Sequence, residues 1–147
     1  MPKSKICLPD INVWIALASD LHIHHLSATE WFSSLESRSV AFCRVTQMGF
    51  LRLVSNPKVM GADSVNQREA WKLYESMSRD ERVFFASEPA EVEKIWRHVS
   101  LSLLSGTNLW TDAYLAAFAQ AHSWTLVTFD KGFSRLRTAE FHVALLQ

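Results

Sequence analysis

The sequence has few of the residues that mark disulfide-rich, zinc-binding or linker-rich chains. Two cysteines, four glycines and four prolines occur among 147 residues. Cys7 and Cys43 are far apart and form no CxxC pair, so we expect neither a zinc site nor a disulfide, but free thiols in a reducing cytoplasm. Because hydrophobic residues make up 48% and charged residues 20% of the chain, intrinsic disorder is also excluded.

Charge of one sign is not in excess. The chain has 15 Lys and Arg against 15 Asp and Glu, and its formal net charge is zero. No segment forms a basic arm or an acidic tail, which argues against non-specific binding of nucleic acid through clustered cations. A local groove remains compatible with this balance, since a few carboxylates gathered at one site would leave the other surface mildly positive.

Long apolar runs are also missing. The uncharged stretch 113–129 is shorter than the roughly 20 apolar residues of a membrane-spanning helix. It contains Gln120, His122 and Ser123, and is interpreted as a buried helix followed by a buried strand. The N-terminal residues show no apolar region with a small-residue cleavage site, so we expect a cytoplasmic protein that is neither membrane-spanning nor secreted.

Short apolar strands alternate with helices along the chain. This alternation predicts a single α/β domain over residues 1–147, with a mostly parallel sheet and helices on both faces. The predicted strands are residues 5–8, 40–43, 82–86, 125–129 and 141–145. The predicted helices begin at Asn12 and cover residues 25–37, 46–55, 64–79, 89–104 and 108–122, with Ser27 and Glu30 in capping-box register and a loop after Gly61.

Three aspartates are placed where a ligand site is expected. Asp10 and Asp130 each follow a predicted strand, and Asp112 lies near the start of an otherwise uncharged helix. Ligands of open α/β sheets bind at the carboxyl ends of the strands, so these side chains could converge at one edge. Converging carboxylates repel one another unless a divalent cation lies between them, and oxygen ligands suit Mg²⁺ or Mn²⁺. The placement points to phosphate chemistry.

Each aspartate also has a simpler interpretation. Asp10 could cap the helix that follows it. Asp112 could be a first-turn carboxylate that the helix dipole stabilises. Asp130 could be an ordinary turn residue. Only the joint placement of the three favours a shared site.

Four segments resemble those of a known family. They are residues 8–17 (LPDINVWIAL), 46–53 (TQMGFLRL), 111–119 (TDAYLAAFA) and 126–133 (LVTFDKGF). Their order and spacing are similar to those of PIN-domain ribonucleases, in particular VapC-like toxins of bacterial toxin–antitoxin pairs. The resemblance covers essentially the whole chain. It implies a three-layer α/β/α sandwich with a short, mostly parallel sheet, and a metal-dependent endoribonuclease toxin of a type II toxin–antitoxin system.

The resemblance also implies roles for individual residues. Asp10 and Asp112 would be primary ligands of Mg²⁺ or Mn²⁺, and Asp130 would complete the acidic pocket directly or through water. Asn12 and Thr128 would orient these carboxylates by hydrogen bonding. The expected partners are an RNA substrate, a small antitoxin protein and a second copy of the chain in a homodimer.

One position departs from the family pattern. Many PIN domains have a glutamate on the third helix where this sequence has Gln47. An amide oxygen could still contact a metal or its water, but the site would have one negative charge fewer and would hold a second ion less firmly. On the same helix, Arg52 could face an RNA backbone or form an ordinary ion pair.

Two other functions are compatible with the residues. Asp10, Ile11 and Asn12 superficially resemble the nucleophile loop of haloacid-dehalogenase-like phosphatases, which would make the chain a magnesium-dependent phosphohydrolase of small molecules. That loop has a second aspartate, which is missing here. A non-catalytic binding module with a PIN fold is the other alternative, motivated by Gln47.

Histidine and tryptophan residues could supply further sites. The cluster of His22, His24 and His25 is interpreted as surface or capping residues rather than a zinc site. The six tryptophans could stack on bases, but they are expected to be core or oligomer contacts.

Overall fold

Five parallel strands form the central layer of the structure. The structure is a computed structural model and describes residues 6–102, 108–136 and 142–147. The strands are β1 (Cys7–Pro9), β2 (Val40–Phe42), β3 (Val83–Phe85), β4 (Thr125–Thr128) and β5 (His142–Leu145), in the spatial order β3-β2-β1-β4-β5. All four neighbouring pairs are parallel. This arrangement confirms the predicted α/β class.

Helices connect the strands and cover both faces of the sheet. They are α1 (Ile11–Ala18), α2 (His25–Ser33), α3 (Arg44–Val54), α4 (Pro57–Met60), α5 (Gln67–Ser78), α6 (Val92–Leu101) and α7 (Leu109–His122). Two short 3₁₀ segments cover Gly61–Asp63 and Lys131–Leu136. Within the described parts of the chain, no helix is long and apolar enough to cross a bilayer.

Alternating strand residues divide the core into two clusters. Val40 and Phe42 belong to one cluster with Trp14 and Phe50, whereas Ala41 belongs to the other, with the apolar face of α7. Successive strand residues point to opposite faces of a sheet, so each face needs its own layer of helices. The result is the expected three-layer sandwich.

Two local expectations need correction. The capping box of Ser27 and Glu30 is wrong: α2 begins after His24, and the Ser27 hydroxyl donates to the backbone oxygen of Gln147 at 2.6 Å. A contact from the far end of the chain thus takes the hydroxyl that a local cap would use. The loop expected after Gly61 begins with the short 3₁₀ segment Gly61–Asp63, and the one-turn helix α4, which Asn56 caps, precedes it.

Other boundaries differ by a few residues. The helix expected from Pro89 begins at Val92, and the helix expected from residue 46 begins at Arg44, directly after β2. Parts of three predicted elements, at residues 5, 103–104 and 141, lie outside the described residues.

Candidate active site

The sheet topology places Asp10 and Asp130 at the same edge of the sheet. Strands β1 and β4 are neighbours, with Pro9 opposite Val127, and the Asp10 amide donates to the Val127 oxygen at 2.9 Å. Both aspartates therefore lie beyond the carboxyl ends of adjacent strands. Helix α7 leads into β4, so its first turn, which contains Asp112, is directed to the same edge.

Both carboxylate oxygens of Asp10 accept hydrogen bonds. Oδ1 accepts from the Val13 amide at 3.1 Å and caps α1, and Oδ2 accepts from the Thr128 hydroxyl. The side chain is buried, with 6% of its surface exposed. The capping interpretation of Asp10 is thus confirmed, and it coexists with the contact that ties Asp10 to β4.

Thr128 connects two of the aspartates. Its hydroxyl donates to Asp10 and accepts from the Asp130 amide at 2.9 Å. Asp130 is exposed, and its Oδ1 accepts from the Gly132 amide at 2.8 Å, so the turn interpretation also holds. Thr128 itself is fully buried. One hydroxyl therefore fixes Asp10 relative to the backbone that presents Asp130.

The electrostatics couple all three aspartates. Burial, together with the charge of Asp130, raises the pKa of Asp10 to about 6, against the lowering effect of the hydrogen bonds from Thr128 and Val13. Burial also raises the pKa of Asp112 to about 6, with added repulsion from Asp130 and Asp10. Mutually repelling, partly desolvated carboxylates have a strong preference for a cation.

The donor set fits a hard divalent ion. No three His, Cys, Asp or Glu side chains in the described segments are close enough to hold a metal ion together. Magnesium does not require such a cluster, because it usually binds through one or two carboxylates, with waters and substrate phosphate completing the octahedron. Two coupled carboxylates and a third on an exposed turn meet that requirement.

Asn12, Gln47 and Arg52, the other predicted site residues, occupy different positions. The Asn12 side chain is exposed, and only its backbone lowers the pKa of Asp10 by hydrogen bonding. Gln47 is buried; its Oε1 accepts from the Arg44 guanidinium at 2.5 Å, and its side chain hydrogen-bonds to Tyr74. Arg52 is exposed and lines a shallow groove between α3 and α5. Within the described part of the chain, Gln47 thus hydrogen-bonds to Arg44 and Tyr74 and not to the aspartates.

The clustered histidines serve local structure. His25 Nδ1 lies 2.8 Å from the Ala16 oxygen, and His22 Nδ1 accepts from the His24 amide at 3.0 Å. The His24 ring stacks on Phe129, with the centroids 4.2 Å apart. These contacts agree with the surface and capping interpretation.

The tryptophans divide between core and surface. Trp14 and Trp124 are buried, whereas Trp71 and Trp110 are 49% and 67% exposed. Cys7 and Cys43 are free thiols.

Sequence reasoning missed the residues at the carboxyl ends of β2 and β3, on the same edge of the sheet as the aspartates. Arg44 begins α3 at the carboxyl end of β2, and its guanidinium lies 4.8 Å from the centroid of the Phe85 ring at the end of β3. The Tyr114 hydroxyl donates to Glu88 at 2.6 Å. A charged residue directly after a predicted strand was the available signal for Arg44, the same signal that singled out Asp10.

Comparisons with known proteins identify the family of the chain. The model of the PIN domain family matches residues 7–139. The chain is 38% identical over 133 residues to Ribonuclease VapC41 of Mycobacterium tuberculosis, covering 87% of this chain and 91% of that protein. It is 32% identical over 128 residues to Ribonuclease VapC38 of the same organism, covering 86% of each.

Solved structures share the fold at low identity. VapBC2 from Rickettsia felis, bound to a DNA fragment from its promoter, matches with a TM-score of 0.68 and 15% identity, covering 97% of this chain and 99% of that one. VapC20 of Mycobacterium tuberculosis, a sarcin–ricin loop cleaving toxin, matches with a TM-score of 0.65 and 17% identity, covering 91% and 97%. The match of the family model over most of the chain, together with the 38% identity to a VapC ribonuclease, shows that this chain belongs to the PIN domain family.

Proposed function

We propose that this chain is a metal-dependent endoribonuclease that acts as the toxin of a type II toxin–antitoxin system. The observation that carries the proposal is the group of coupled aspartates at the carboxyl edge of the sheet, in a chain 38% identical to a VapC ribonuclease. A single PIN domain over residues 1–147 and a cytoplasmic location are part of the same proposal.

In this proposal Asp10 and Asp112 hold Mg²⁺ or Mn²⁺, and Asp130 completes the acidic pocket directly or through water. When bound, such an ion polarises the phosphodiester and lowers the pKa of a water nucleophile. Thr128 keeps Asp10 Oδ2 in place by donating to it. Water attacks phosphorus in line, the bond to the 3′ oxygen breaks, and the products carry a 5′-phosphate and a 3′-hydroxyl.

Gln47 affects the number of ions in this proposal. It supplies no negative charge, and its Oε1 is already engaged by Arg44. One firmly held ion is therefore favoured over two, and any direct catalytic role of Gln47 stays a prediction.

The proposed partners are RNA, a small antitoxin and a second copy of the chain. Several of the similar solved structures are complexes of a VapC-type protein with its VapB partner. Exposed apolar side chains before α2 and in its first turn, such as Leu21, Ile23 and Leu26, provide surface for such contacts. Binding of an antitoxin and formation of a homodimer are measurable by co-expression and by molecular mass in solution.

RNA cleavage tests the proposed function. Purified protein should cleave bacterial RNA when Mn²⁺ or Mg²⁺ is present, and chelation should stop it. Asp112→Asn should reduce the rate at least about a hundredfold, because a carboxylate ligand is lost. The matched control Asp20→Asn, at an exposed aspartate after α1, should cleave like the parent.

Two results would contradict the proposal. Cleavage by Asp112→Asn at the parent rate would show that the site is wrongly assigned. Formation of a phosphoaspartate at Asp10 would instead favour the small-molecule phosphohydrolase. The hydrogen bonds that both oxygens of Asp10 accept make that carboxylate a poorer nucleophile.

A further inference from the structure

Arg44 is an exposed cation at the same edge of the sheet as the aspartates. It follows β2, which is the direct neighbour of β1, the strand that ends before Asp10. Its guanidinium packs over the ring of Phe85, and it donates to Gln47 Oε1 at 2.5 Å. Phe85 is itself 43% exposed. A cation held over an aromatic ring thus lies on the open surface of the site's own edge.

Contacts of α7 reach the carboxyl ends of β2 and β3, where Arg44 lies. Tyr114 lies two residues after Asp112 and donates to Glu88, which follows β3. Cys43, the residue before Arg44, is close enough to Tyr114 to affect the pKa of its hydroxyl. The N-terminal half of α7, the start of α3 and the segment after β3 therefore lie together at this edge of the sheet, which we call the rim.

Among the described residues, no ion pair joins Arg44 to a carboxylate. The ion pairs found among the described residues join Glu75 to Arg79, Asp80 to Arg82, and Glu93 to Arg97. Burial, hydrogen bonds and the other carboxylates set the pKa values of Asp10 and Asp112. Arg44 thus leaves the acidic site unneutralised.

The position of Arg44 in its helix is locally unfavourable. It is the first residue of α3, where the helix dipole disfavours a positive charge. Residues that oppose a local preference often serve function. An anion bound there would relieve this conflict.

Gln47 has the position to hold the guanidinium. It lies one turn after Arg44, is buried, and also hydrogen-bonds to Tyr74. The Phe85 ring covers one face of the guanidinium, and Gln47 accepts a hydrogen bond from one of its N–H groups. The remaining donors stay available in the fork geometry that matches a phosphate.

We propose that Arg44 binds a phosphate of the RNA strand next to the phosphate that is cleaved, and that Gln47 is a positioning residue for Arg44. This inference rests on the proposed ribonuclease function. It gives the rim two parts: carboxylates that attract a cation at β1 and β4, and a fixed cation for the substrate backbone at β2 and β3. It also accounts for a buried glutamine whose contacts avoid the aspartates.

RNA binding in a cleavage-deficient protein tests the role of Arg44. In the Asp112→Asn background, a labelled mixed-sequence single-stranded RNA is titrated at several salt concentrations. Arg44→Ala should weaken binding about tenfold, because a charge-assisted contact is lost. The slope of log affinity against log salt should become shallower by about 0.7, the value of one phosphate contact on a single strand.

The matched control is Arg79→Ala. Arg79 ends α5 ahead of β3, at the opposite edge of the sheet, and its side chain is 80% exposed. It should leave affinity and salt slope unchanged. An Arg44→Ala protein with the parent's affinity, or one that loses affinity without a change of slope, would overturn the proposal, since the second result is that of a purely structural residue.

A double-mutant cycle tests Gln47. Gln47→Leu removes the oxygen that accepts from Arg44 and keeps a side chain of similar size. It should weaken RNA binding in the Asp112→Asn protein. It should have no further effect in the protein that also contains Arg44→Ala. A further loss in the Arg44→Ala protein would overturn the positioning role. Thermal melts of each variant show whether the fold is retained.

Failure of this inference can be told from failure of the proposed function. Cleavage of RNA by the parent protein with Mn²⁺ is measured alongside. If the parent cleaves RNA and Arg44→Ala binds it normally, only the inference is wrong. If the parent does not cleave RNA but Arg44 still governs the salt slope, the ribonuclease assignment is wrong and the RNA contact is right.

Discussion

At the scale of single residues, Thr128 holds two aspartates of the site in register. Its hydroxyl contacts Asp10 and the Asp130 backbone from a fully buried position. The pattern of the sequence placed Thr128 at the end of a strand, and the family resemblance gave it an orienting role. The structure adds the particular partners of Thr128. One of them, Asp10, lies 118 positions away in the sequence.

Replacing Thr128 should shift the pH dependence of activity. Thr128→Val keeps the shape but removes the donor that lowers the pKa of Asp10. The pKa should then rise above about 6, so the acid limb of the pH–rate profile moves to higher pH, and activity near neutrality falls about tenfold. Thr128→Ser, which keeps the hydroxyl donor, should restore the position of the acid limb and the activity near neutrality. An unchanged profile for Thr128→Val would contradict this role.

The raised pKa of Asp112 predicts a pH-dependent stability. Its folded value of about 6 lies above the ordinary 3.8, so the folded state holds the extra proton between these values. Without metal, ionisation of Asp112 therefore destabilises the fold progressively as pH rises through that range, and the full penalty is present above about pH 6.

Asp112→Asn should relieve this penalty. The variant should be about 1 kcal/mol more stable than the parent near pH 7, a discounted figure because Asp112 is only partly buried, and the advantage should disappear near pH 4. Urea titrations at both pH values in the presence of a chelator measure the difference. An equal advantage at both pH values would show that burial and the neighbouring carboxylates do not raise the pKa of Asp112.

At the scale of elements, α3 approaches α1 closely at Gly49. A Cβ at this position would lie 2.2 Å from Ile11 Cδ1 and 2.7 Å from Ile11 Cγ1. Ile11 directly follows Asp10, so the packing of α3 helps to set where the first turn of α1 lies. A glycine in the middle of a helix is costly by propensity, and here the close contact explains it.

Gly49→Ala should therefore destabilise the fold. Helix propensity alone would favour alanine by about 1 kcal/mol, but overpacking costs about 1–3 kcal/mol, and we expect a net loss of about 1 kcal/mol. Adding Ile11→Ala should make the Gly49 substitution neutral or favourable, which a thermal melt can measure. Met48→Ala, at an exposed neighbour on the same helix, should change stability by less than about 0.5 kcal/mol.

At the scale of the whole molecule, two chain segments at opposite ends of the sequence form the site. β1 and β4 are neighbours in the centre of the sheet, and α7 returns the chain to the same edge. A cation that binds the aspartates of both segments would therefore stabilise the folded state as a whole, because the unfolded chain keeps them far apart.

Metal binding should raise the melting temperature in a pH-dependent way. Mn²⁺ at about a hundred times its dissociation constant should raise the free energy of unfolding by about 2.7 kcal/mol near pH 7. Near pH 5 the effect should be smaller, because Asp10 and Asp112, with pKa values of about 6, bind protons in competition. Asp112→Asn should abolish most of the gain. A lack of saturable binding at millimolar Mn²⁺ would support the non-catalytic module instead.

The sequence by itself determined the layers of the fold and the position of the aspartates. Alternating apolar strands and helices are local, periodic signals, and a polar residue directly after a strand is equally local. They gave the α/β class, the parallel sheet and the placement of Asp10 and Asp130 at strand ends. The boundaries of the elements differ by a few residues from those predicted, because residues such as Arg44 become helical only when the chain packs.

Only the tertiary structure decided which side chains meet. Ser27 contacts Gln147 rather than a local cap, Gln47 contacts Arg44 and Tyr74, and Thr128 contacts Asp10. Each of these polar groups has acceptable partners nearby in sequence or in the expected site. Which partner it takes depends on how helices and strands dock, and docking is set by the packing of two cores that no local pattern specifies.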